Sequence, residues 1–75
     1  MNPQRAAILL AFSEEDQALT KREILARAGL RDDKHLHDLM IMSLIAMREW
    51  QPNVPRQFYL TPRGRDKRAE CNVGD

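Results

Sequence analysis

Thr20-Lys21-Arg22-Glu23-Ile24-Leu25-Ala26-Arg27-Ala28-Gly29-Leu30 is the stretch that decides how this chain folds. Thr20 and Glu23 stand three apart, the spacing at which a hydroxyl and a carboxylate each satisfy one orphan backbone donor at a helix start. The helix they open is expected to run from Lys21 to about Ala28, burying Ile24, Leu25 and Ala28. Gly29 is placed to end it in the left-handed conformation. A new start follows at once in Arg31-Asp32-Asp33. Beyond it, Leu36, Leu39, Met40 and Ser43 recur at i, i+3, i+4 and i+7, the period of a buried helical stripe. Met42 borders that stripe. Two helices joined by a tight glycine turn are therefore expected at the centre of the chain.

Working outward, Asn2-Pro3 is a helix start, since Asn caps and proline at the first helical position gives up no useful N–H. Ala7, Leu10 and Ala11, with Ile8 and Phe12 nearby, predict about ten helical residues. Ser13-Glu14-Glu15-Asp16 ends them as a solvated polar stretch, and Gln17-Ala18-Leu19 reads as a short extended connector. Downstream, Ser43-Leu44-Ile45 leaves the third helix, and residues 45–50 read as a strand with Trp50 as a core-edge or hairpin anchor. Gln51-Pro52-Asn53-Val54-Pro55-Arg56 is a loop, because two prolines remove two donors and favour turns. Gln57-Phe58-Tyr59-Leu60 is the returning strand, and Thr61-Pro62 caps a final basic segment. Residues 1–70 are expected to form one domain, with 71–75 a flexible tail.

The charge is unevenly placed. Residues 55–68 hold Arg56, Arg63, Arg65, Lys67 and Arg68 against Asp66 alone, whereas the rest of the chain holds seven basic and ten acidic residues. That asymmetry favours an anionic partner. A single cysteine, Cys71, permits no internal disulfide and suggests a reducing compartment. No apolar run reaches the ~20 residues of a membrane span, so a cytoplasmic location and no membrane partner are expected.

Chemistry is poorly represented. His35 and His37 are two apart, on different helical faces, and cannot pair as i, i+4 metal ligands could. Ser13, Ser43 and Cys71 lack a His–Asp constellation. Gly64 has no glycine–lysine companion that would cradle a phosphate. No enzymatic activity, cofactor or metal is expected.

The order helix, helix, glycine turn, helix, hairpin and capped segment resembles the winged helix-turn-helix superfamily over residues 3 to about 70. Residues 20–30 look like the first helix and turn of its motif. Leu36-His37-Asp38-Leu39 with Ser43-Leu44-Ile45 is similar to the run from recognition helix into wing. Phe58-Tyr59-Leu60-Thr61-Pro62-Arg63-Gly64-Arg65 resembles the exit from that wing. The resemblance implies an α+β, mostly helical fold of three helices and a two- or three-stranded β-hairpin wing. It also implies double-stranded DNA as partner, with the third helix in the major groove and the wing on the backbone. Arg31, Lys34 and His37 would then face the groove, Asn53 and Arg56 would lie on the wing, and Arg63, Arg65, Lys67 and Arg68 would attract phosphates. Such a protein acts as a transcriptional regulator or accessory factor, with room for a homodimer because one small module covers little DNA.

A second reading comes from the acids at the start of the third helix. Asp33 and Asp38 would meet phosphates in a groove, and Ile41 points towards water beside Lys34 and His37. Asp33, Asp38 and Ile41 would instead form the contact surface of a protein-binding adaptor or inhibitor.

The stripe itself is testable. Leu39→Ala is expected to lower stability by about 2–5 kcal/mol, the range for truncating a buried leucine, and an unchanged thermal melt would show that the third helix is misplaced.

Overall fold

The computed structural model describes residues 2–14 and 17–72. Its elements are α1 (Pro3–Ala11), β1 (Leu19–Thr20), α2 (Lys21–Ala28), α3 (Lys34–Ile41), β2 (Ile45–Met47), β3 (Gln57–Leu60) and α4 (Pro62–Asn72). The architecture is α+β: four helices and a three-stranded antiparallel sheet of order β1-β3-β2 among the described residues. The helix count exceeds the three expected, because the final basic segment is itself a helix. Cys71, expected in a flexible tail, lies in that helix and packs partly buried against the core; residues 73–75 of the expected tail are outside the described residues.

The helix starts follow local chemistry. Asn2 Oδ1 accepts from the Gln4 and Arg5 N–H groups at 2.8 and 3.4 Å. Around α2 the full capping box forms: Glu23 N–H donates to Thr20 Oγ1, and Thr20 N–H donates to Glu23 Oε1. Gly29 ends α2 at φ +72°, where Gly29 N–H donates to Ala26 O and Leu30 N–H donates to Leu25 O, the pair of hydrogen bonds of a Schellman terminus. The start of α3 differs from expectation in detail. Asp33 occupies the cap position without a side-chain cap bond, and Asp32 Oδ1 accepts from Lys34 N–H at 3.2 Å instead.

Ile8, Leu9, Phe12, Leu19, Ile24, Leu36, Leu39, Leu44, Ile45, Phe58 and Leu60 form one buried cluster. Each such aliphatic or aromatic burial contributes about 1.5–3 kcal/mol before chain entropy is counted. Leu10, which shares the helical spacing of Ala7 and Ala11, is exposed. The buried positions 8, 9, 11 and 12 centre the α1 face between Ile8 and Phe12, which turns Leu10 to the opposite side.

At the far end of α3, Ser43 takes the position that glycine holds after α2. Its φ is +62°, with Ser43 N–H on Met40 O and Leu44 N–H on Leu39 O. Ser43 is therefore exposed at the turn and not on the buried stripe, and Met42 is likewise exposed. The carbonyls of this corner are claimed by α4: Thr61 Oγ1 donates to Ser43 O, and Thr61 N–H donates to Leu44 O at 3.1 Å. The same hydroxyl accepts from Gly64 N–H at 3.0 Å, capping α4. Gly64 is buried there, and an added Cβ would sit 1.9 Å from Leu44 O. The helix thus docks by close backbone approach, and that explains how a segment without leucines packs at all.

In the sheet, Leu19 pairs with Phe58 and Thr20 with Gln57 on one side of β3, while Ile45, Ala46 and Met47 pair with Leu60, Tyr59 and Phe58 on the other. The second strand is shorter than the 45–50 expected. Arg48 N–H to Gln57 O at 2.8 Å is its last rung, and Pro55 beyond β3's start brings no N–H to extend pairing. Trp50 lies past that rung and is exposed instead of anchoring the hairpin.

Two glycine substitutions separate the two constraints. Gly29→Ala meets open space and is expected to cost about 1–2 kcal/mol from its left-handed backbone alone. Gly64→Ala, which helix propensity would favour by about 1 kcal/mol, is expected to cost at least the ~3 kcal/mol upper range for overpacking. Urea melts giving a Gly64→Ala variant as stable as the parent would refute the close docking of α4.

Candidate functional site

The exposed face of α3 carries Lys34, His37 and Ile41, spaced i, i+3 and i+7, with Arg31 exposed just ahead of the helix. Ile41 is 83% exposed, the largest value among the exposed large hydrophobic residues. The side chain was expected on the water side, and it lies there.

Two acids of this region are paired with cations, while Asp32 is exposed and its Oδ1 accepts from the Lys34 N–H. Asp33 accepts from Lys21 Nζ of α2 at 3.3 Å and lies 3.2 Å from His37 Nε2. The Lys21 hydrogen bond, helped by His37, holds its carboxyl below the usual carboxylate range. Asp38 is half-buried and turned to α1, where Arg5 Nη2 lies 3.0 Å away, with His35 Nδ1 at 3.9 Å. Arg5 Nη1 also reaches Met42 Sδ at 3.9 Å. Both carboxylates placed at the alternative protein surface are thus tied into pairs that cross from α3 to its neighbours, while Ile41 is left open.

The sheet brings a second basic group beside α3. Because Thr20 pairs with Gln57, the start of α2 lies next to the root of the hairpin, and Thr20, Lys21, Arg22, Pro55, Arg56 and Phe58 line a cleft of about 460 Å³. Lys21 and Arg22 escaped the sequence reading because they sit inside the capping box, where their role looked purely local. The one signal was the extended connector before Thr20, which becomes β1. Asn53 and Arg56 are exposed in the loop, Asn53 at φ +64° and Arg56 with Nη1 3.4 Å from Met47 Sδ.

The four cations of α4 differ in exposure and in partners. Arg63 and Lys67 are exposed, and Lys67 pairs with Glu70 at 3.2 Å. Arg65 and Arg68 are half-buried, and Arg68 Nη2 donates to Ser13 O at 3.0 Å. Arg68 therefore clamps α4 to the end of α1, much as Arg27 Nη1 of α2 donates to Ala11 O at 3.1 Å. Together the two arginines satisfy carbonyls that the C-terminus of α1 would otherwise leave open.

Among the described residues, no three His, Cys, Asp or Glu side chains gather as metal ligands would, and no helix is long and apolar enough to cross a membrane. The acidic stretch at 14–16 is described only at Glu14; Glu15 and Asp16 are outside the described residues. No known protein family, curated protein or solved structure matches this chain.

The Asp33 pairs carry a pH signature. A carboxyl more acidic when folded adds stability above the ordinary carboxylate range, and that stability is lost as pH falls through the depressed value. Glu23, lowered by the Thr20 N–H and hydroxyl, acts in the same direction. Thermal melts are expected to show stability falling below about pH 5, with a shallower fall in Asp33→Asn and Glu23→Gln. Identical acid profiles for parent and variants would contradict these pairs.

Proposed function

We propose that this chain is a small winged helix-turn-helix protein that binds double-stranded DNA, as a transcriptional regulator or accessory factor. In this reading α2 and α3 form the motif around the Gly29 turn, α3 enters the major groove, and the β2–β3 hairpin is the wing. The element order and the β1-β3-β2 sheet support it.

The observation that carries the reading is electrostatic. Lys34, His37 and Arg31 are exposed along α3 and its entrance, while Asp33 and Asp38 are each paired with a cation of another helix. Two acids that would repel a polyanion are thereby compensated, Asp38 by being drawn to the flank of the helix. The cleft cations Arg22 and Arg56 extend the positive surface from the start of α2 to the wing. Phosphate contacts of this kind dominate affinity and make it salt-dependent.

A protein-binding adaptor is the second reading, favoured by the exposure of Ile41 next to exposed Met42. The two readings separate in one titration. Duplex binding is expected to weaken steeply with salt, and Lys34→Ala or Arg56→Ala is expected to weaken it on all sequences and flatten the log–log salt slope by about one unit. Ile41→Glu is expected to weaken duplex binding too. An absence of salt-dependent duplex affinity, with Ile41→Glu abolishing capture of a protein partner, would establish the adaptor reading.

A further inference from the structure

Trp50 is the chain's single tryptophan, and it is 64% exposed. It stands in the nine residues, 48–56, that join β2 to β3. Val54, four residues further along that loop, and Met47 at its root are exposed as well. Leaving this much apolar surface in water forgoes the stabilisation its burial would bring.

The loop is constrained at several points. Arg48 N–H holds Gln57 O at 2.8 Å, Asn53 takes a left-handed turn at φ +64°, and Pro52 and Pro55 fix their own φ. The loop carries two arginines, Arg48 and Arg56, against one carboxylate. Between residues 46 and 60 Glu49 is the only acid. Arg48, Glu49 and Arg56 line one cleft with Val54 and Pro55, and Arg56 lines the next with Lys21 and Arg22. An exposed indole in a loop with an arginine at each end matches a partner that alternates anionic groups with flat apolar faces. Nucleic acid has that alternation of phosphates and bases; a protein surface would have to supply it by coincidence.

We propose that Trp50 is a wedge that the hairpin loop presses against a base step of duplex DNA, with Arg48 and Arg56 holding the phosphates on either side. This rests on the DNA-binding reading and specifies how one of its surfaces works. It assigns the loop an apolar contact in addition to the charged ones.

The experiment uses the full chain and an end-labelled, mixed-sequence duplex at low salt, reading label anisotropy for binding and tryptophan emission for the wedge. The expected result is that anisotropy rises while Trp50 emission is quenched and becomes shielded from acrylamide. Trp50→Ala is expected to weaken binding roughly 5- to 150-fold, the span that stacking of one base supports, whereas Trp50→Phe keeps most of the affinity; circular dichroism of both variants checks the fold. If anisotropy rises with Trp50 emission and acrylamide access unchanged, or if Trp50→Ala binds as the parent does, the wedge is overturned and DNA binding stands. If the parent gives no rise in anisotropy, both are overturned.

Discussion

The carbonyls of Ser43 and Leu44 turn out of the end of α3, and Thr61 takes both, one with its hydroxyl and one with its N–H. Its hydroxyl then caps α4 through Gly64 N–H. Gly64 lets the helix backbone come against Leu44 with no side chain between them. This corner sets where α3 stops, where β2 begins, and how α4 lies across the core. Ser43 is held at positive φ by it, a strained position for a residue with a side chain. Because β2 starts one residue after Leu44, the register of the sheet is inherited from this contact, and with it the direction in which the hairpin projects.

Charge does a second job once that frame is set. Arg5–Asp38 joins α1 to α3, Lys21–Asp33 joins α2 to α3, Arg27 ties α2 to the end of α1, and Arg68 ties α4 to it. Partly exposed ion pairs each contribute little stability, so their larger consequence is placement. They draw carboxylates and arginines to the seams between helices and leave Lys34, His37, Ile41, Arg31, Arg22 and Arg56 facing outward. The α+β chain thus presents a mixed cationic and apolar surface on α3 and the hairpin although its overall charge is nearly balanced.

Much of this was legible in the sequence. The Thr20–Glu23 box, Gly29 and the Leu36–Leu39 stripe specify α2 and α3 because caps and periodicity act within a few residues. Phe58 and Leu60 alternate with Tyr59 as a strand facing a core should. What escaped depends on contacts between distant segments. The Ser43 turn lacked a glycine to announce it, and its stabilising partner lies 18 residues away at Thr61. α4 has no apolar stripe, so its docking through Gly64 and Cys71 left no periodic trace. Arg68 looked like a free cation, and Asp38 like an exposed acid, until α1 was in place beside them. Lys21 and Arg22 joined the candidate surface only because β1 pairs with β3.

Duplex DNA is proposed to meet α3 and the hairpin. Amide chemical-shift mapping of the full chain during a duplex titration tests it most directly. The account predicts the largest shifts at Arg31, Lys34, His37, Ile41, Arg22 and the 48–56 loop, with Arg68 and the α1–α4 seam unmoved. Shifts concentrated on Arg63 and Lys67 of α4, with α3 silent, would contradict it.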